Sequence, residues 1–277
     1  MNTNLLRDRS LLNFCLLEFV LSIPFWGIGA LANAGVIPDF VMFRASWSLT
    51  PMMAASILVY RENRAAGVKE FLKRIVDYPR IKSNIWYLPL FLLGPFVVFV
   101  QYGLALWSGL SVPLPHFTPL VPLSFVGFFL LVYGEELGWT VYAVDALQER
   151  RSALVAGIVV GIMWAIFHGP VWYLAGMSLQ WCVWQGIFVV ALRVLMVWMY
   201  DNMGRSLFAM DLLHPGFFVW WYLWPVTGTG LSVPTFYDPR NLALTTTVLV
   251  VIVTFLWGSK TLAQFRFARS SRPSVRE

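Results

Sequence analysis

The sequence predicts an all-α polytopic membrane bundle of about eight transmembrane helices, with a short amphipathic helix on the membrane surface. Three observations carry this. First, 58% of the 277 residues are hydrophobic and 12% are charged, against about 45–50% and about 25% in soluble domains. A soluble fold of this length could not hide so much apolar surface, whereas lipid is itself an apolar solvent. Second, the apolar residues fall into runs of about 20, the length that crosses a bilayer, and the 14 Trp gather near the ends of those runs, as in interfacial belts. Third, the basic residues lie in short segments between alternate runs rather than along one stripe.

Eight runs have the composition of spans: 11–32, 40–60, 86–108, 119–147, 152–175, 180–200, 205–224 and 242–261. The first follows Arg7 and Arg9 and contains Ala30-Leu31-Ala32, which resembles a signal-peptide cleavage site. Its length, with Glu18 and Pro24 inside it, favours a retained helix. Between the second and third runs, Gly67–Tyr78 sets Val68, Phe71, Leu72, Ile75 and Val76 against Lys69, Lys73 and Arg74. That pattern is an amphipathic surface helix or, equally, a solvated loop helix. The segment Pro225–Asn241 is rich in Gly, Pro and Thr and reads as an irregular loop. Residues 1–266 form a single membrane domain, and 267–277 a polar tail, expected to be disordered. Cys15 and Cys182 sit inside apolar runs without metal-type spacing and are expected as free thiols.

Charge fixes an expected orientation. With the N-terminus inside, eight spans place all of the 20 Lys and Arg on the cytoplasmic side except Arg44, Arg193 and Arg240. Both termini are then cytoplasmic in a cell-membrane protein. The net charge of +6 is explained by this topology and gives no reason to expect nucleic acid. The lipid bilayer is the expected partner, and the oligomeric state stays open.

Ionisable residues at membrane depth cost roughly 2.5–3.5 kcal/mol on insertion scales and are functional candidates by default. Glu135 and Glu136 stand about 14 residues from Arg150, roughly 20 Å deep at helical rise. His168 is roughly 24 Å deep and His214 roughly 14 Å by the same measure. Adjacent helical residues point in different directions, so one carboxylate can react while the other supports it. Arg193 is placed to pair with Glu136 or Asp211, or to snorkel to the surface. Asp145 and Glu18 have weaker claims, since both could reach an interface. A carboxylate withdrawn from water loses its preference for the charged form. It can take a proton from water and pass it to a leaving amine, with a neutral imidazole positioning the water or stabilising an oxyanion. Glu135, His168 and His214 could alternatively hold a divalent metal. There is no convincing Ser/His/Asp set, His-Glu-x-x-His motif or Gly-rich phosphate loop.

Three motifs in order resemble the CPBP family, the CaaX-protease and bacteriocin-processing membrane proteins. They are Glu135-Glu136-Leu137-Gly138-Trp139 with Tyr142; Trp164 to His168 followed by Gly169-Pro170; and Arg193, Asp201-Asn202, Ser206 and His214. They occupy residues 120–222. The resemblance implies an intramembrane endopeptidase acting on a membrane-anchored peptide or protein. It makes Glu135 the general base, Glu136 its support, His168 a ligand of the water and His214 a contributor to the oxyanion site. Arg193 and Trp139 are supporting residues. No cofactor is required by the glutamate mechanism, with a divalent metal as the alternative. Two positions depart from the pattern: Thr140 stands where the family has Arg, and Phe218 where it has Asn or Asp. The second loss removes an oxyanion donor, worth about 10²–10³ in rate. The competing reading is a catalytically silent member that acts as a membrane binding, immunity or scaffold protein.

Overall fold

The computed structural model describes residues 10–37, 46–227 and 233–266. Eight principal helices make up the fold: α1 Leu11–Asn33, α2 Thr50–Leu72, α3 Tyr87–Trp107, α4 Leu120–Gln148, α5 Ala153–Leu174, α6 Leu179–Asn202, α7 Leu207–Phe218 and α8 Pro239–Trp257. The strand content among the described residues is a two-residue pairing, Val226–Thr227 antiparallel to Val233–Pro234, inside the loop read as irregular. Arg7, Arg9, Arg44, the start of the second run and the 267–277 tail lie outside the described residues.

Helix starts follow local chemistry. Ser10, Ser152, Ser178, Ser206 and Asp238 each turn a side-chain oxygen to a backbone N–H of the first turn, satisfying donors that the helix leaves unpaired. Among the described residues, six helices are long and apolar enough to cross a membrane: α1, α3 with its lead-in, α4, α5, α6 and α8. The other two expected spans differ from the reading. α2 starts at Thr50, and its backbone leaves helical geometry at Arg64, where φ is 56°. α7 has 12 residues before a 3-10 turn, Val219–Leu223, takes over. At 1.5 Å per residue α7 covers roughly 18 Å, too little to cross by itself. Hydropathy sees a continuous apolar run in both places, but not the 3-10 turns Ser46–Leu49 and Val219–Leu223 inside them.

The 67–78 segment also departs from expectation. It is the last turn of α2 followed by 3-10 turns Lys73–Val76 and Tyr78–Arg80. Arg74, assigned by periodicity to the wet side, is 7% exposed, while Val76 is 68% exposed. Arg74 is drawn inward by partners elsewhere in the chain. Its Nε donates to Asp77 at 2.8 Å and its guanidinium to the Tyr200 hydroxyl at 2.9 Å. Burial works against the charge on Arg74, but Tyr200, Asp145 and Asp77 outweigh it, and its proton is held more tightly than in water. Asp77 in turn accepts from the Ser206 hydroxyl and the Leu207 and Phe208 amides, at 2.8, 3.0 and 3.1 Å. Arg205 donates to Asp145 at 2.8 Å. The ends of α2, α4 and α6 and the start of α7 therefore meet in one polar knot at one end of the bundle.

Packing is closest where glycine removes the side chain. Gly157 and Gly161 on α5 lie against the Cα atoms of Val194 and Val190 on α6. Gly134 and Gly138 on α4 lie against Ser48–Pro51 at the start of α2. Gly94 on α3 meets the Gly216 carbonyl on α7. α6 is the centre of the bundle, with 67% of its apolar window buried against 22–33% for the other five spans. Cys15 and Cys182 are free.

A Cβ at Gly94 would overlap backbone of α7 that cannot swing away. Gly94→Ala is expected to cost about 1–3 kcal/mol, read as a lower melting temperature of the purified protein in detergent. Gly103→Ala on the same helix, where nothing lies within 4 Å of the added carbon, is expected to leave the melt unchanged or raise it.

Candidate active site

Four helices supply the site. α4 carries Glu135 and Glu136, α5 carries Trp164 and His168, α6 carries Arg193, and α7 carries His214. Just after the two glutamates, residues Leu137–Val144 of α4 form a π-helical stretch, a conformation often found at functional sites.

The two neighbouring carboxylates have unequal surroundings. Glu136 is fully buried and accepts from four donors. Arg193 approaches it with two nitrogens, Nη1 to Oε2 at 2.7 Å and Nη2 to Oε1 at 3.1 Å. The Thr140 hydroxyl donates to Oε2 and the His214 Nδ1–H to Oε1, at 2.5 and 2.9 Å. Arg193 is itself held by Thr140 Oγ1 at 3.1 Å and by the face of Trp164, 4.0 Å from the guanidinium carbon to the ring centre, a cation–π contact. Arg193 thus pairs with Glu136 in full burial. It does not snorkel, and Asp211 is left buried with both carboxylate oxygens without a partner among the described residues.

Glu135 accepts from the Trp164 indole N–H at 3.3 Å. Beyond that it faces His168 Nε2 at 3.9 Å and His214 Nε2 at 3.8 Å, too far for direct hydrogen bonds. His168 Nδ1 lies 2.8 Å from the Trp164 carbonyl. A carbonyl only accepts, so that nitrogen carries the proton and Nε2 is turned to Glu135. His214, with Nδ1 on Glu136, likewise presents Nε2. Both imidazoles thus aim the same nitrogen at one carboxylate. His168 is the most exposed member of the group, its side chain 17% accessible against 5% or less for Glu135, Glu136, Arg193 and His214. Trp47, Trp164 and Trp172 surround its ring at 4.9, 5.2 and 5.6 Å.

The structure brings Glu135, Glu136, His168, His214 and Arg193 together. Trp139 lies apart from them, with its ring against Phe14 and Phe167 and its indole N–H without a partner. Trp164 was part of a motif but not a site residue by sequence, yet it touches four members of the cluster. Its place one helical turn before His168 was the available signal. Thr140, the missing arginine of the motif, occupies the gap that Arg193 fills from α6. Phe218 lies with its ring 5.7 Å from that of His214 and offers no donor. Among the described residues, no three His, Cys, Asp or Glu side chains are gathered as a metal ion would need. No step below runs through an ion.

The helical bundle thus withdraws paired carboxylates, two imidazoles and a guanidinium from water in one cluster. Residues 117–221, which hold the whole cluster, match the family model described as Type II CAAX prenyl endopeptidase Rce1-like. The chain is similar to CAAX prenyl protease 2 of Methanococcus maripaludis, 26% identical over 223 residues that cover 73% of this chain and 80% of that protein. It is also similar to lysostaphin resistance protein A of Staphylococcus aureus, 27% identical over 132 residues that cover 45% of this chain and 30% of that protein. The chain is a multi-pass membrane protein that is similar to these membrane proteases.

Removing one half of a buried ion pair strands the other. Arg193→Met is expected to destabilise by about 3–5 kcal/mol. Adding Glu136→Gln to it is expected to recover a large part of that loss, read as non-additive shifts in detergent melting temperature.

Proposed function

We propose that the chain is an intramembrane endopeptidase in which Glu135 activates water to hydrolyse a peptide bond of a membrane-anchored substrate. One observation supports this above the rest: Glu136 has its hydrogen-bonding capacity filled, while Glu135 keeps capacity free beside two imidazole nitrogens. As the water oxygen attacks the carbonyl carbon, the Glu135 carboxylate takes one water proton. It then gives that proton to the departing amine as the C–N bond breaks, and is regenerated as a carboxylate. His168 Nε2 accepts the second O–H of the water and orients it. His214, fixed at Nδ1 by Glu136, turns Nε2 to the developing oxyanion and, in that role, carries a proton on both ring nitrogens. Arg193 holds Glu136 ionised and outside the proton traffic. Exclusion of bulk water strengthens each of these interactions. By the positive-inside rule, the end bearing the Arg74–Asp77–Arg205 knot faces the cytoplasm.

Phe218 supports a second reading, a silent member that binds without cutting. An apolar ring beside His214 offers the oxyanion nothing. Cells expressing the wild type and Glu135→Gln separate the two readings, by comparing newly formed N-termini in their membrane proteomes. The peptidase reading expects termini that require Glu135, at a rate reduced by about 10²–10⁴ in the variant. Identical termini in both strains, with the cellular phenotype of Glu135→Gln intact, would select the silent reading. With a cleaved protein in hand, the rate in lipid nanodiscs is expected to be unchanged by a metal chelator. Phe218→Asn is expected to raise it by up to about 10²-fold.

A further inference from the structure

Glu18 on α1 is 1% exposed, and neither of its carboxylate oxygens has a hydrogen-bond partner among the described residues. A buried polar group without a partner calls for a cause. The packing of α1 supplies one. Phe14, Glu18 and Ser22 follow at intervals of four and are all buried, so they share one helix face. Phe14 packs edge-on against Trp139 and tilted against Tyr142 of α4, with ring centres at 5.2 Å in both cases. One turn beyond Glu18, Ser22 shares a 2.7 Å hydrogen bond with Thr50. Thr50 sits between Leu49, which abuts Gly134, and Pro51, which abuts Gly138. α1 is thus anchored on α4 through Phe14 at Trp139 and Tyr142, and through Ser22 and Thr50 beside Gly134 and Gly138, with Glu18 between the two anchors and Glu135 between the two glycines. Glu135 is also the charged side chain that acts on Glu18, with Cys15 as the titratable neighbour on its own helix. From its other sides Glu135 feels His214, Glu136 and Arg193.

We propose that Glu18 is a third carboxyl of the reaction chamber, a positioning residue that holds one proton jointly with Glu135. Two carboxylates at one level in a dry chamber do not both carry charge. With Glu18 as the acid, Glu135 is the free carboxylate that can receive a proton from water. When Glu135 has taken that proton, both are neutral until the leaving amine removes it. The total of protons is conserved, and Glu18 never touches substrate. This role rests on Glu135 being the base. It lies outside the 117–221 match, on the first helix of the chain.

The test needs no substrate. Full-length protein in lipid nanodiscs at neutral pH is treated with dicyclohexylcarbodiimide, which reacts with protonated carboxyls in apolar surroundings, and adducts are mapped by mass spectrometry. Glu18 is expected to be modified in the wild type. In Glu135→Gln the neighbouring charge is gone and modification of Glu18 is expected to fall roughly tenfold. An unmodified Glu18, or equal modification in both proteins, would overturn the proposal. Once a cleaved protein is known, Glu18→Gln removes the partner that shares the proton and is expected to move the acid limb of the pH–rate profile to higher pH by about one unit. A purely structural role would leave that limb in place. Coupled labelling without any Glu135-dependent cleavage would retain the shared proton and remove the peptidase reading instead.

Discussion

The buried pair of Arg193 and Glu136 is the interaction on which the rest of the site depends. Taking two ions out of water costs several kcal/mol each, and here the return comes from unusually complete partnering. The guanidinium approaches with two nitrogens and lies over Trp164, and the carboxylate has Thr140 and His214 besides. The pair joins α4 to α6. His214 brings in α7 and Trp164 brings in α5. Because Glu136 is consumed in this way, its neighbour is the carboxylate left with capacity to spare. Two identical side chains, adjacent in sequence, acquire different chemistry from what surrounds them.

A second polar knot does for α7 what length does for the other helices. α7 is too short to be held by a bilayer's thickness and is pinned instead at two points. At its start Asp77 binds the Ser206 hydroxyl and two amides, where the positive end of the helix dipole favours a carboxylate. Two turns further on, His214 is tied to Glu136. Between these, the Gly94–Gly216 approach sets the depth of α7 against α3. The position of one imidazole nitrogen thus depends on residues from four separate segments.

Much of this was legible in the sequence because charge is costly in lipid. Glu135, Glu136, His168, His214 and Arg193 stood out as ionisable groups in apolar runs, and the structure gathers all five. The runs themselves gave the helices but not their interruptions. A window average over 40–60 or 205–224 is blind to a 3-10 turn at Ser46–Leu49 or to one that takes over at Val219. Periodicity misplaced Arg74 because its partners, Tyr200 and Asp145, are far away in sequence. Glu18 was discounted as close enough to an interface, yet it faces α4 from a fully buried position. Trp139 shared a motif with the glutamates but points to α1, since motif membership says nothing about direction.

The π-helical stretch Leu137–Val144 has a consequence for how this chain can vary. It sits between two sets of contacts on α4, Glu135 and Glu136 toward the chamber and Asp145 toward Arg74 and Arg205. It acts as a phase shifter, widening the turn so that both sets face their partners at once. Losing one residue there would restore an ordinary helix and rotate one set by about 100° relative to the other. The length of that stretch is thus constrained as well as its side chains. The spacing between the glutamates and Asp145 is therefore a dimension of the machine, as fixed as any bond within it.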